Sequence, residues 1–503
     1  MSRSFAELLP TPLTAESLAR LQPLTCAEDL LLLLERWVER GWLRALDKAF
    51  VAFLHERDPE GDPLVLLAAA LTSHQLGHGH VCLDLFETLK EPDFALSLPP
   101  EGDVQTGAML LPSQLLEALD GDAWCAALQA SALVEHAGHS AHASSRPLVL
   151  SDRRLYLRRY WAYERRIDSA LRQRLSAPQV TPEDLPARLN SLFASPVQPA
   201  PIDWQKLACA LATRGAFSIV TGGPGTGKTT TVVRLLALLQ APAVEAGAPL
   251  RIRLAAPTGK AAARLTESIS LQVKSLEVAD SVRQKIPSDV TTVHRLLGSR
   301  PGTRHFRHHA GNRLPLDVLV VDEASMIDLE MMANLLDALP DHARLVLLGD
   351  KDQLASVEAG AVLGDLCRDA EAGWYTPQTR AWLEQVSGEN LAASDLQQDL
   401  DGTHPLAQQV VMLRHSRRFG EGSGIGQLSR LVNRQESHEA RALLVAGHHE
   451  DLFTLPLKGE QDRGFERLAL EGRGAQAKGY RHYLEVLRER RPSADAGLED
   501  PCW

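Results

Sequence analysis

The chain has 503 residues, enough for about three domains, and its hydrophobic share of 44% and charged share of 23% are typical of soluble globular proteins. It has no long uncharged apolar run and no basic segment followed by an apolar core near the start, which argues against a membrane span and a secretory signal. The six cysteines form no CxxC pair, so we expect reduced thiols and a cytoplasmic protein. A formal charge of −11 argues against an extensive nucleic-acid-binding surface but permits a narrow basic channel.

Residues 1–147 are rich in leucine and alanine and show helical periodicity, most clearly over residues 26–58. The pattern predicts an all-α domain without a catalytic site, which docks on the rest of the chain or on a partner. Within it, SHQLGHGH places His74, His78 and His80 at a spacing that could bind zinc. No carboxylate or cysteine completes such a site, and the interleaved glycines favour the end of a helix.

Residues 148–200 form a basic and proline-rich connector. Its first part, residues 153–174, holds eight arginines against two acids, with four aromatic residues interleaved. That composition suits single-stranded nucleic acid, whose bases stack on aromatic rings, and it equally suits an amphipathic helix with a solvated arginine face. Six prolines between residues 178 and 201 predict a segment without regular structure and a domain boundary.

The segment TGGPGTGKTT, residues 221–230, has the composition of a phosphate-binding loop. It follows a predicted apolar strand at 216–220 and opens a predicted helix, so glycine N–H groups and the helix N-terminus would converge on phosphate oxygens. Lys228 would reach the β- and γ-phosphates, and the Thr229 hydroxyl would hold Mg²⁺. The candidate nucleotide ligands of this loop are Gly222, Gly223, Pro224, Gly225, Thr226, Gly227, Lys228, Thr229 and Thr230.

Three more units downstream combine an apolar strand with a polar loop, at residues 251–265, 317–328 and 344–354. Strands that alternate with helices predict a parallel sheet with right-handed crossovers. In such sheets ligands bind beyond the carboxyl ends of the strands, so we expect these loops and the phosphate loop to lie at one edge.

That convergence assigns roles to three further side chains. Asp322 would hold Mg²⁺, Glu323 would orient and deprotonate the attacking water, and Gln353 would contact the γ-phosphate. An acidic pair after a strand is also common as a solvated strand end, but the phosphate loop upstream favours the catalytic interpretation. The pair suits hydrolysis rather than transfer to a metabolite, and the chain lacks the NKxD-type base reader of a GTP switch.

Seven segments resemble the ordered motifs of superfamily one helicases: DWQKLACA, GGPGTGKTT, AAPTGKAAARL, TTVHRLLG, VVDEAS, LLGDKDQL and LRHSRRFG. With LYLRRYWAYERRI and HQLGHGHVCLDL, they make the chain similar to the RecD family, the alpha subunits of RecBCD exodeoxyribonuclease V complexes. The resemblance implies an α/β fold with a RecA-like motor domain at residues 201–370. Residues 371–503 would begin a second RecA-like domain.

The resemblance also implies roles for individual residues. Gln205 would contact the adenine of ATP, and Arg418 would be an arginine finger supplied by the second motor domain. The alternative for Arg418 is a solvated member of the basic run RHSRR, in which Arg417 replaces the tyrosine of the family pattern. The residues expected on the single-strand track are Thr258, Lys260, Thr292 and His294.

For the whole chain, the resemblance implies an ATP- and Mg²⁺-dependent 5′→3′ DNA helicase subunit that processes double-strand breaks with RecB-like and RecC-like partners. The nuclease would belong to another subunit, and the N-terminal domain would dock on the RecC-like partner. Two later family motifs are not found after residue 420, so we expect an incomplete second motor domain. The alternatives are an ATP-binding scaffold subunit without motor activity, an AAA+-type assembly ATPase and, more remotely, an RNA helicase.

Overall fold

In the computed structural model the chain divides into two units, residues 1–416 and residues 417–503. The structure describes residues 21–103, 109–138, 145–177, 180–193, 202–354, 356, 358–416, 418–420, 422–459, 461–473 and 478–489. Among these residues, no helix combines the length and the apolar character needed to span a membrane.

The N-terminal region is mainly helical, as predicted, but it also contains a small sheet. Its helices are α1 (Ala27–Glu39), α2 (Ala45–Arg57), α3 (Pro63–Gly77), α4 (Leu85–Lys90), α5 (Pro92–Leu96), α6 (Pro112–Leu116) and α7 (Gly121–Ala130). Its strands are β1 (Cys82–Asp84), β2 (Val134–His136), β3 (Leu148–Ser151) and β4 (Arg154–Leu157). They form a mixed sheet in the order β1-β4-β3-β2. The prediction of an all-α domain ending at residue 147 is therefore wrong, because β3 and β4 extend the domain past that boundary.

Helix α3 lies at the centre of this region, and its residues 65–71 are apolar on every side, as expected of an enclosed helix, while the polar residues 72–75 that follow are also buried. Asp62 caps its N-terminus by accepting a hydrogen bond from Leu64 N at 2.8 Å. The helix ends at Gly77, which confirms the helix end predicted from SHQLGHGH. His74 is buried there, and its Nε2 lies 2.8 Å from Leu96 O.

The connector holds two helices, α8 (Arg158–Ser176) and α9 (Leu185–Leu192). The prediction of an irregular proline-rich segment is wrong for α9, because its proline lies in the first turn, where no intrahelical N–H is needed. Residues 178–179 and 194–201 lie outside the described residues. Helix α8 is amphipathic: Tyr160, Ile167 and Leu171 are buried, which supports the amphipathic-helix interpretation of the basic segment.

The predicted parallel sheet is confirmed, with six strands in the order β10-β5-β9-β8-β6-β7, all parallel. The strands are β5 (Phe217–Gly222), β6 (Ile252–Ala256), β7 (Val290–Thr292), β8 (Val318–Val321), β9 (Arg344–Gly349) and β10 (Val410–Leu413). The helices around it are α10 (Trp204–Arg214), α11 (Lys228–Glu245), α12 (Gly259–Lys274), α13 (Asp280–Arg283), α14 (Val293–Leu297), α15 (Leu329–Ala338), α16 (Val362–Leu366) and α17 (Pro377–Ser387).

Both faces of this sheet are buried, which explains why its strands are continuous apolar runs in the sequence. Val220, Val320 and Val346 pack in one layer with α10, α11, α12 and α17. Ile219, Val321 and Leu347 alternate with them and pack in the opposite layer with α8 and α15. The arrangement is that of a RecA-like motor domain.

The boundary predicted at residue 370 differs from the structure. Residues 371–416 belong to the first unit, because β10 pairs in parallel with β5, with Val410 opposite Ile219. The described part of the second unit contains helices and no strand. These are α18 (Gly424–Asn433), α19 (Ser437–Ala446), α20 (Arg463–Glu471) and α21 (Tyr480–Glu489).

Candidate functional site

The phosphate loop connects the end of β5 to the start of α11. Gly225 and Gly227 have φ values of +77° and +88°, a region that side-chain-bearing residues rarely occupy. A Cβ atom on Gly227 would lie 2.1 Å from Gln205 Nε2. Glycine is therefore needed for the backbone path and for the close approach of Gln205.

Lys228 opens α11 and folds back over this loop. Its Nζ donates hydrogen bonds to Gly222 O at 2.5 Å and to Gly223 O at 3.3 Å. Thr226 Oγ1 also donates to Gly223 O, at 2.8 Å. The loop carbonyls thus hold the ammonium group where phosphate oxygens could replace them as its acceptors.

The acidic pair follows β8, two strands away from β5. Asp322 is half-buried, and its Oδ1 accepts a hydrogen bond from Glu323 N at 2.9 Å. Burial raises the pKa of Asp322 to about 6, although the hydrogen bond from Glu323 N and the charge of Lys228 lower it. Glu323 has φ +50°, a strained conformation for a residue with a side chain and one found preferentially at functional sites.

Two of these side chains suit a magnesium ion. Thr229 and Thr230 lie half-buried in the first turn of α11, and the Thr229 hydroxyl and the Asp322 carboxylate are oxygen ligands. Mg²⁺ takes such ligands together with phosphate oxygens and water. A cation there would also favour the charged form of Asp322, which burial now disfavours. The chemistry of the donor set therefore fits Mg²⁺ bound with a nucleotide.

Sequence reasoning missed Asp350, which follows β9, the strand between β5 and β8. Asp350 is only 7% exposed, and burial raises its pKa while the charge of Lys228 lowers it. Its backbone is tied to β5 because Lys351 N donates to Thr221 Oγ1 at 3.1 Å. Gln353, the predicted γ-phosphate contact, is exposed on the following turn, and its role stays a prediction. A Gly-Asp at a strand end was the available signal for Asp350.

Gln205 lies beside the end of the phosphate loop. Its Nε2 donates to Thr226 O at 3.0 Å, and its Oε1 accepts from Arg234 Nη1 at 3.5 Å. The Arg234 guanidinium lies 4.5 Å from the centre of the Phe193 ring. An open groove of about 550 Å³, lined by Thr230 and Arg234 among others, adjoins this group. Contact between Gln205 and an adenine stays a prediction.

The four predicted DNA-contacting residues lie together at the carboxyl ends of β6 and β7. Thr258 Oγ1 accepts from Ala261 N and Thr292 Oγ1 accepts from Arg295 N, each at 3.2 Å, so both threonines cap helices. Lys260 and His294 are exposed beside them. The structure thus groups these four residues on one open edge.

The predicted arginine finger, Arg418, is exposed and belongs to the second unit, so its role stays a prediction. Arg417 lies outside the described residues. Nearby in sequence, Ser416 Oγ donates to Pro224 O of the phosphate loop at 2.8 Å. No sequence pattern signalled this contact, because it depends on the pairing of β10 with β5.

Comparison with known families matches two parts of the chain. Residues 39–156 match the family described as RecBCD enzyme subunit RecD, N-terminal domain, and residues 205–359 match the AAA domain family. These stretches are the N-terminal region with most of its small sheet and the part of the motor domain that carries the phosphate loop and both acidic strand ends.

Curated relatives extend the similarity over most of the chain. The RecBCD enzyme subunit RecD of Haemophilus influenzae is 36% identical over 441 residues, which cover 85% of this chain and 64% of that protein. The RecD subunit of Mycolicibacterium smegmatis is 40% identical over 392 residues, covering 77% and 57%. The ATP-dependent RecD2 DNA helicase of Deinococcus radiodurans is 41% identical over 152 residues, covering 30% and 18%. The chain thus spans less than two thirds of the length of these relatives.

Proposed function

We propose that the chain is a member of the RecD family and an ATP-hydrolysing motor subunit that moves 5′→3′ on single-stranded DNA, because it is similar to RecD subunits over most of its length. The observation that supports this best is the clustering of charge at one edge of the parallel sheet. The ammonium of Lys228 lies close enough to Asp322 and Asp350 to affect the pKa of both carboxyl groups. A phosphate loop flanked by two acidic strand ends suits a nucleotide triphosphate with its metal.

In this proposal ATP is the nucleotide and Mg²⁺ its metal. Lys228 neutralises charge on the β- and γ-phosphates, and Thr229 and Asp322 hold Mg²⁺. Glu323 orients the attacking water and takes its proton. Gln353 and Arg418 contact the γ-phosphate, and Gln205 contacts the adenine.

The similarity to RecD subunits supports a proposal for the substrate and the partners. We propose that Thr258, Lys260, Thr292 and His294 contact single-stranded DNA, and that the subunit joins RecB-like and RecC-like partners at double-stranded DNA ends. The N-terminal region docks on the RecC-like partner. A subunit with this role works in the cytoplasm.

The test is ATP hydrolysis by the 503-residue chain with and without single-stranded DNA, repeated with the two partner subunits. We expect stimulation by DNA. Lys228→Gln should lower turnover by roughly 10²–10³-fold, because it removes a charge aimed at the transition state. Lys285→Gln, a loss of the same charge elsewhere on the domain, is the matched control.

Two results would contradict the proposal. Normal turnover in Lys228→Gln would mean that the phosphate loop is not the hydrolytic site. Nucleotide binding without DNA-stimulated hydrolysis, even with both partners present, would instead indicate a scaffold subunit.

A further inference from the structure

A cavity of about 370 Å³ lies beside His294, outside the nucleotide site. Its walls come from four parts of the chain: the start of α8, the segment 299–306 after α14, the start of α15, and residues 358–359. None of the candidate nucleotide ligands lines it. The cavity has the size range of a small-ligand site, and it is open to solvent at the edge where the single-strand track is proposed.

The walls are held in place by backbone contacts. After α14 the chain turns back, with Ser299 paired with Phe306 and Arg307 N donating to Gly298 O at 3.0 Å. On the opposite side, Gly360 N donates to Gly79 O at 3.1 Å, which anchors the segment that carries Glu358. The cavity is therefore largely preformed, which reduces the entropy lost on binding.

Aromatic rings are among the residues that line the cavity. The His294 and Phe306 rings meet edge to face with their centres 6.0 Å apart, and Tyr160 of α8 lies on the same lining. Rings of this kind bind unstacked nucleobases, because every base offers a π-face. The residue shared with the proposed DNA track, His294, connects the two sites.

Polar side chains also line the cavity, and three of them have no side-chain partner among the described residues. Within the described part of the chain, Asn334, Glu358 and Arg304 make no side-chain hydrogen bond or ion pair. Asp328 lies beside Glu358, and burial together with the charges of Glu330 and Glu358 raises its pKa. These carboxylates and the Asn334 amide oxygen are acceptors suited to N–H donors on a ligand.

We propose that this cavity receives one base of the tracked DNA strand and favours bases with an exocyclic amino group. The base stacks on the aromatic rings while its amino group donates to Glu358, Asp328 or the Asn334 oxygen. Thymine carries no amino group and offers these acceptors only its single N3–H, so it binds less well. The inference rests on the proposed function, because it needs single-stranded DNA on this edge.

The test compares binding of fluorescent oligo(dC) and oligo(dT) of equal length to the 503-residue chain, measured by anisotropy. Both are pyrimidine strands with bases of similar size, and cytosine carries an amino group where thymine carries a carbonyl oxygen. We expect oligo(dC) to bind about three- to tenfold more tightly, the effect of roughly one hydrogen bond. Glu358→Ala, an exposed position, and Asn334→Ala should each reduce that preference without weakening the binding of oligo(dT). Glu117→Ala, an exposed carboxylate of the N-terminal region, is the matched control.

The outcomes separate the two proposals. Equal affinity of the unmodified chain for the two oligomers overturns the inference while leaving the proposed function intact. A preference that survives unchanged in both variants also overturns it. Failure to bind either oligomer overturns the proposed function and the cavity's role together.

Discussion

At the carboxyl edge of the sheet, the proposed nucleotide end lowers the stability of the fold, whereas the proposed DNA end increases it. At the proposed nucleotide end, which carries Glu323, Asp322 and Asp350, Glu323 has a strained φ of +50°. Burial raises the pKa values of Asp322 and Asp350, so the charged forms of both carboxylates lower the stability of the folded chain. At the proposed DNA end, Thr258 and Thr292 cap helices and stabilise the fold.

The two ends therefore differ in what a substitution should change. Under the proposed function, the charges at the nucleotide end become favourable only when a cation and phosphates bind, so substitutions there should harm activity more than stability. The threonines of the DNA end stabilise helices even without a ligand. Substitutions of these threonines should therefore change stability and DNA contact together.

The largest expected effect is on catalysis. Glu323→Gln keeps the size and shape of the side chain but removes the proposed base, so we expect DNA-stimulated turnover to fall by roughly 10²–10⁴-fold. The fold should be unaffected, because no structural contact depends on the negative charge of Glu323 within the described residues. The measurement is kcat for ATP hydrolysis at saturating nucleotide and DNA.

Glu56→Gln, at an exposed position of the N-terminal region, controls for the loss of a negative charge. If Glu323→Gln kept more than half of the turnover, another group would have to position the water. Asp350 would then be the first residue to test, since it is an acid beside Lys228 that has no proposed role.

The nucleotide end also shows what the sequence could predict. The phosphate loop and the acidic pair were predictable because each is a local pattern that follows its own strand. Asp350 was not assigned a role, because its approach to Lys228 depends on β9 lying next to β5, and strand order is a tertiary property. Ser416 was missed for the same reason.

The errors in the fold have similar causes. The strands of the small N-terminal sheet have three or four residues, too few for an alternating pattern to show. Strand β10 is separated from β5 in sequence by most of the motor domain, so its pairing with β5 could not be predicted from a local pattern. Helix α9 was not predicted because prolines are frequent around it, although the one proline within it lies in the first turn.

The ionised Asp322 carboxylate should lower the stability of the folded chain. Its pKa rises from 3.8 to about 6 on folding, so the charged form is disfavoured in the folded chain. The loss of folding stability caused by ionised Asp322 is absent below the unfolded pKa of 3.8 and grows as the pH rises. It reaches its full value above a pH of about 6. Without nucleotide, Asp322→Asn should be more stable than the unmodified chain at pH 7.5 by about 1–2 kcal/mol, with a smaller gap at pH 5. Urea unfolding at the two pH values measures this.

Asp317, at the other end of β8, provides a control of opposite sign. The hydrogen bond from Arg251 lowers the pKa of Asp317 to about 2, so its charged form stabilises the fold above pH 4 and that stability is lost as the pH falls through 2. Asp317→Asn should therefore destabilise the chain at both pH 5 and pH 7.5. A gap for Asp322→Asn that did not depend on pH would contradict the account of its burial.

The smallest expected effect separates the two functions of Thr258. Thr258→Ala removes the hydroxyl that accepts from Ala261 N and should cost about 1 kcal/mol of stability at any pH between 5 and 7.5. Thr258→Ser keeps the hydroxyl and should retain most of that stability. If the hydroxyl also contacts DNA, Thr258→Ala should weaken the binding of single strands while Thr258→Ser should not. Equal stability of the two variants would show that the Thr258 hydroxyl does not stabilise the helix by capping it. The contrast between the two ends of the sheet would then depend on the nucleotide end alone.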